Sequence, residues 1–83
     1  MNNQKNILQS LSMDLLRSAI GRHRGSHAMA DRFIDESKKR LKELDHSFDV
    51  KMITDLNNIL DHRSDRQAED LLMYSTLIRN RAV

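Results

Sequence analysis

Four basic side chains, two arginines and two histidines, crowd into the segment GRHRGSH, residues 21–27, which also holds both glycines of the 83-residue chain. Histidine nitrogens bind metal ions, and arginine guanidinium groups bind phosphates and carboxylates. The segment therefore suggests two kinds of ligand chemistry, a metal site and an anion site. A third interpretation needs no ligand, because cations near the end of a helix also stabilise its negative pole.

The metal hypothesis depends on His23, His27 and Asp31, which follow one another at intervals of four residues. On one continuous helix these side chains would share a face, and imidazole with carboxylate can hold zinc or a similar ion. Gly21 and Gly25 disfavour a continuous helix here, and the neighbouring arginines repel a divalent cation. Whether one helix runs through the segment stays open, and the sequence predicts no resident metal and no cofactor.

The anion hypothesis depends on a cluster of arginines around the same segment. Residues 1–27 carry four Lys or Arg side chains against one acidic side chain, and the rest of the chain is close to balance, so this part supplies the net charge of +2. Such a cluster could bind nucleic acid or another polyanion through phosphate contacts. The candidate residues are Arg17, Arg22, Arg24 and Arg32.

Acid–base catalysis finds less support in the sequence. An aspartate precedes a histidine at Asp45-His46 and again at Asp61-His62. Adjacent side chains on a helix point about 100° apart, however, and so do not orient each other for proton transfer. No serine elbow, phosphate loop or paired-carboxylate motif accompanies them. The chain is therefore predicted not to be an enzyme.

Hydrophobic periodicity predicts that helices position all of these residues. Apolar residues recur at steps of three and four in four segments, proline is absent, and only three residues are aromatic. This pattern predicts an all-α fold, a small antiparallel bundle of three to four amphipathic helices. The bundle is expected to form a single domain over residues 1–83, with roughly the first four residues flexible.

Glycine and capping residues predict where the helices begin and end. Helix one is expected to end just before Gly21, because glycine readily adopts the left-handed conformation that closes a helix. Ser26 is the expected N-cap of helix two. Ser64 with Gln67 fits a capping box at the start of helix four, which would cover roughly residues 65–80.

The fourth segment carries more apolar residues than packing against one neighbour requires. Two leucines, a methionine and a tyrosine follow one another, and another leucine lies three residues further on. This surplus, together with the thin core of so short a chain, predicts an interface with another protein or with a second copy. The candidate interface residues are Leu71, Leu72, Met73, Tyr74 and Leu77.

The sequence therefore predicts a small non-enzymatic interaction protein, a regulator or adaptor that acts through apolar helix faces and forms a homodimer. The alternative is a protein that binds nucleic acid or another polyanion through the arginine cluster. No apolar run approaches the roughly 18 residues that cross a bilayer, and the first residues lack the continuous apolar stretch of a signal peptide. A cytoplasmic location without membrane attachment is expected.

Overall fold

Four α-helices make up the computed structural model, which describes residues 3–44 and 49–82. The helices are α1 (Asn3–Arg24), α2 (His27–Glu43), α3 (Val50–Asp61) and α4 (Gln67–Arg81). The described ranges contain no strand, and their helices form an elongated bundle of 38 × 19 × 19 Å. The predicted all-α bundle is confirmed, with four helices.

α1 is the central helix, because it packs along both α2 and α4. Within the described residues α2 and α4 do not pack against each other, and the shorter α3 contacts both of them. α4 begins beside Arg22, near the end of α1, and the Arg81 side chain at its other end forms an ion pair of 2.7 Å with Asp49. α4 therefore runs antiparallel to both α1 and α3.

Leucine and isoleucine side chains from all four helices fill the core. Their spacing of three, four and seven residues places them on one side of each helix, as the sequence periodicity predicts. Burying each such side chain stabilises the fold by about 1.5 to 3 kcal/mol. The completely buried ones are Leu11, Leu15, Leu56, Leu71 and Ile78.

The junction of α1 and α2 differs from the prediction. α1 continues past Gly21 to Arg24, and Gly25 ends it with a left-handed φ of 77°. The Gly25 N–H donates to the Arg22 carbonyl oxygen over 3.2 Å, and the Ser26 N–H donates to the Gly21 carbonyl oxygen over 2.8 Å. This pair of bonds is a Schellman motif, which satisfies the last carbonyls of the helix. The prediction that Gly21 ends helix one is wrong, and α1 and α2 are separate helices.

Gly21 instead allows α1 and α2 to approach each other closely. A Cβ atom at position 21 would lie 3.0 Å from both the Cβ atom and the backbone nitrogen of Ala30. Ala30 is itself completely buried in α2. The missing side chain therefore sets the distance between the two helices, which is a packing role and not a capping role.

The helix N-termini follow the prediction only in part. Ser26 precedes α2 as expected, but its side chain forms no capping hydrogen bond. Asp49 caps α3, since its carboxylate accepts a hydrogen bond from the Met52 N–H over 3.1 Å. The predicted capping box of α4 is absent, because the Gln67 side chain turns into the protein and only its backbone N–H bonds to the Ser64 carbonyl oxygen.

The prediction that roughly the first four residues are flexible concerns two residues that the structure describes and two that it does not. Met1 and Asn2 lie outside the described residues, whereas residues 3 and 4 belong to α1. In the ranges 3–44 and 49–82, no helix combines the length and the apolar character needed to cross a membrane.

Candidate functional site

The Arg22 side chain is largely buried where α1, α2 and α4 meet, and its guanidinium group is the centre of a hydrogen-bond network. Its side chain is only 8% exposed. Nε donates to Gln67 Oε1 over 2.7 Å, and Nη1 lies 3.0 Å from His27 Nδ1. Nη2 pairs with the Asp31 carboxylate over 2.5 Å. Because arginine only donates hydrogen bonds, His27 Nδ1 is the acceptor in this network.

Gln67 extends the network to α3. Its side chain is almost completely buried, its Oε1 accepts the bond from Arg22, and its Nε2 donates to the Ile59 carbonyl oxygen over 2.9 Å. The bonds of Arg22 and Gln67 therefore connect all four helices. An unpaired charge or amide at this depth would be costly, and the network removes that cost.

The sequence prediction missed this structural role. The sequence pattern predicts an anion-binding role for Arg22 and a capping role for Gln67. One signal could have placed Gln67 inside, because it shares the helical spacing of the buried residues Leu71, Ser75 and Ile78. No comparable signal identifies its partner, which lies 45 positions earlier in the chain.

The other three arginines of the predicted anion cluster lie on two different surfaces. Arg17 and Arg32 both lie over the Phe33 ring, with guanidinium carbons 5.4 and 5.8 Å from its centroid. Arg24 lines a groove between α1 and α4. The structure therefore brings Arg17 and Arg32 together, and it places Arg22 and Arg24 elsewhere.

The residues of the metal hypothesis are divided between two helices. His23 belongs to α1, while His27 and Asp31 belong to α2 beyond the chain reversal at Gly25. His27 and Asp31 both contact the Arg22 guanidinium group instead. Among residues 3–44 and 49–82, no group of three or more His, Cys, Asp or Glu side chains is arranged to hold a metal ion.

The aspartate–histidine pairs considered for catalysis have other partners or fall outside the structure. Asp61 forms an ion pair of 2.7 Å with Lys38, and a hydrogen bond from that ammonium group lowers the pKa of Asp61. His62 Nδ1 lies 2.7 Å from the Asn58 carbonyl oxygen, so this nitrogen donates. The pair at residues 45 and 46 lies outside the described residues.

The predicted interface residues of α4 separate into buried and exposed side chains. Leu71 is completely buried in the core, and Tyr74 is half-buried, where burial and nearby carboxylates raise the pKa of its hydroxyl. Leu72 and Met73 are each 50% exposed, and Leu77 is 47% exposed. These three exposed side chains, Leu72, Met73 and Leu77, are called the α4 face below.

A groove between α1 and α4 adjoins the α4 face and shares Leu72 with it. Its volume is about 450 Å³. Apolar and charged side chains line it together, and Ile20 on the α1 wall is 37% exposed. The lining residues are Ala19, Ile20, His23, Arg24, Ala68, Glu69 and Leu72. This surface is called the α1–α4 groove below.

Comparisons with protein-family models, curated proteins and solved structures find no match to this chain. The fold and surface define it as a small four-helix protein with an exposed apolar face on its last helix.

A second polar cluster lies between α1 and α2, where Asp14 is buried beside two arginines. Its carboxylate oxygens lie 3.8 Å from Arg17 Nη1 and 3.9 Å from Arg40 Nε. These distances are too long for hydrogen bonds, and Arg40 Nε is a buried donor without a partner in the described ranges. Burial raises the pKa of Asp14 despite the opposing charges of Arg40 and Arg17, and Glu36 adds to the rise.

Asp14→Asn is expected to change how stability depends on pH. Because the pKa of Asp14 is raised in the folded chain, the folded protein binds the proton more readily than the unfolded chain does. Stability from this group is therefore greatest below the unfolded pKa of about 3.9 and is lost as pH rises through the folded pKa. Asparagine has no such charge to desolvate, so the variant should be more stable than the parent chain at neutral pH.

Urea unfolding of both chains between neutral pH and about pH 4 measures this effect. The other carboxylates are common to both chains, so their titration largely cancels in the difference between the two free energies of unfolding. As the solution is acidified, the parent chain should become more stable relative to Asp14→Asn. If the difference between the two free energies of unfolding is constant with pH, or if Asp14→Asn becomes relatively more stable in acid, the desolvation of Asp14 is contradicted.

Proposed function

We propose that this chain is a small interaction protein, a regulator or adaptor, that forms a homodimer through the α4 face. The observation that carries the proposal is that Leu72, Met73 and Leu77 are each about half exposed on adjoining turns of one helix. Single exposed apolar side chains are common on protein surfaces, whereas a contiguous group of them is typical of an interface.

A second copy is the partner that best fits the size of this protein. A chain of 83 residues buries a limited fraction of its surface on folding, and self-association is one way in which small folds gain stability. In a two-fold dimer the same face is buried on both protomers, so each apolar side chain contributes twice. Covering the exposed half of each side chain contributes about 1 kcal/mol.

The triple substitution Leu72→Gln, Met73→Gln, Leu77→Gln is expected to convert the dimer to a monomer. Glutamine has nearly the helix propensity of leucine and methionine, so α4 should persist while the apolar contact is lost. The dissociation constant should rise by at least about 100-fold, because each 1.4 kcal/mol is a factor of ten. Sedimentation equilibrium at micromolar concentrations measures the change, and circular dichroism verifies the helix content.

Val50→Gln is a matched control, because Val50 is 62% exposed at the start of α3 and lies outside the α4 face. It should leave the dissociation constant unchanged. A parent chain that is monomeric over the whole concentration range, or a triple variant that dimerises like the parent, contradicts the proposal.

Binding to nucleic acid or another polyanion stays the alternative prediction. Arg22 is held inside the fold, so this alternative depends on Arg17, Arg24 and Arg32. The placement of Arg17 and Arg32 over one half-buried aromatic ring is the feature that supports it. Arg24 lies on another surface, however, and the α4 face is the larger departure from an ordinary surface.

A further inference from the structure

We propose that the two protomers form reciprocal ion pairs across the α1–α4 groove, in which Arg24 of each protomer pairs with Glu69 of the partner subunit. This inference rests on the proposed homodimer. It adds the groups that select a second copy of this chain over other apolar surfaces.

The two walls of the groove carry opposite charges that are not neutralised within one protomer. Arg24 projects from the α1 wall and Glu69 from the α4 wall, and both are exposed. Neither side chain forms an ion pair or a hydrogen bond with another residue in the described ranges. Each is therefore free to bind an opposite charge from outside, at the edge of an apolar surface.

A groove of this kind is complementary to its own two-fold mate. In a two-fold interface, if residue i of one protomer contacts residue j of the other, then j also contacts i. A two-fold axis that runs along the groove, between the two facing surfaces, places the α1 wall of one protomer against the α4 wall of the other. The basic wall then meets an acidic wall twice, and Ile20 comes to face Leu72 of the partner subunit.

The apolar walls supply the contact area, and the charges supply selectivity. Charged groups at the rim of an interface contribute little to affinity by themselves, but like charges placed opposite each other oppose association. A second copy in this orientation satisfies both charged walls at once. A partner with an apolar surface of one charge sign would satisfy one wall and be repelled by the other.

Charge reversal tests the pairing directly. Arg24→Glu alone places Glu against Glu69 of the partner subunit in both charge pairs, and Glu69→Arg alone places two arginines together in both. Each single variant is expected to raise the dissociation constant about tenfold at low salt, where these charges are least screened. An equimolar mixture of the two variants should form a heterodimer, because opposite charges then face each other in both pairs, one pair with the native polarity and the other with reversed polarity.

Sedimentation equilibrium of each variant and native mass spectrometry of the mixture give the two results. Lys51→Glu is the control, since it changes the net charge as Arg24→Glu does but lies on α3, outside the groove. If the parent chain dimerises and the mixture shows no preference for the heterodimer, the proposed Arg24–Glu69 ion pairs are wrong and the proposed homodimer is unaffected. If the parent chain is monomeric at every concentration, the proposed homodimer is wrong and this inference fails with it.

Discussion

Arg22→Met is expected to destabilise the protein by about 2 to 3 kcal/mol, a large part of the stability of a chain this short. The substitution keeps an unbranched apolar stem but removes every donor of the guanidinium group. Gln67 Oε1, which is almost completely buried, then loses its hydrogen bond from Arg22. The direct links from α1 to both α2 and α4 through this side chain are lost together.

Arg24→Met is the matched control for this prediction, because it makes the same chemical change two residues away. Arg24 is exposed and lacks a partner in the described ranges, so its replacement should change the free energy of unfolding by less than about 0.5 kcal/mol. Urea unfolding of both variants under conditions where the chain is monomeric gives the comparison. Equal effects of the two substitutions contradict the structural role of Arg22.

A double-mutant cycle identifies the pair that carries the effect. Gln67→Leu alone leaves the buried Arg22 guanidinium group without one of its acceptors, and Arg22→Met alone leaves the Gln67 amide short of a donor. Replacing both residues removes the two unmatched groups together, so the double variant should be more stable than the sum of the single effects predicts. Additive effects would show that the two side chains stabilise the bundle independently.

Gly21→Val is expected to destabilise the protein by about 2 to 3 kcal/mol, through overpacking between α1 and α2. A Cβ atom at this position already comes within 3.0 Å of the Ala30 backbone nitrogen, and valine adds two methyl groups beyond it. The gain in helix propensity over glycine is about half a kcal/mol and cannot offset the collision. Thermal and urea unfolding measure the loss.

Gly25 gives the comparison that separates packing from backbone conformation. A Cβ atom at position 25 would meet nothing within 4 Å, but its φ of 77° favours glycine. Gly25→Ala should therefore cost about 1 kcal/mol, and Gly25→Asn should cost less, because asparagine tolerates the left-handed region. Gly21→Asn should remain as damaging as any other side chain there. Tolerance of Asn at position 21 would contradict the close approach to Ala30.

The two glycines show why a local pattern was insufficient at the first helix end. Gly21 and Gly25 lie one helical turn apart, and each has the conformational freedom that a helix end requires. Nothing in the neighbouring residues distinguishes them. The choice depends on Ala30, which comes from the next helix and approaches α1 at Gly21 and not at Gly25.

The candidate interface shows a different limit, which lies between adjacent residues. Leu71 and Leu72 are chemically identical, yet one is completely buried and the other is half exposed. The helical repeat of 3.6 residues turns them about 100° apart, so only the first faces the core. Sequence periodicity could have excluded Leu71 from the surface, because Leu71 and Ile78 fall seven residues apart on one stripe.

The all-α fold of three to four amphipathic helices and the apolar surplus of α4 follow from the sequence, because helix formation and amphipathicity depend on residues three and four positions apart. The contacts of the basic residues, in contrast, depend on how the helices pack. The contacts of Arg22 come from α2 and α4, and its placement depends on how three helices pack. A charge pattern records where cations occur along the chain, whereas their partners are set by how the helices pack against one another.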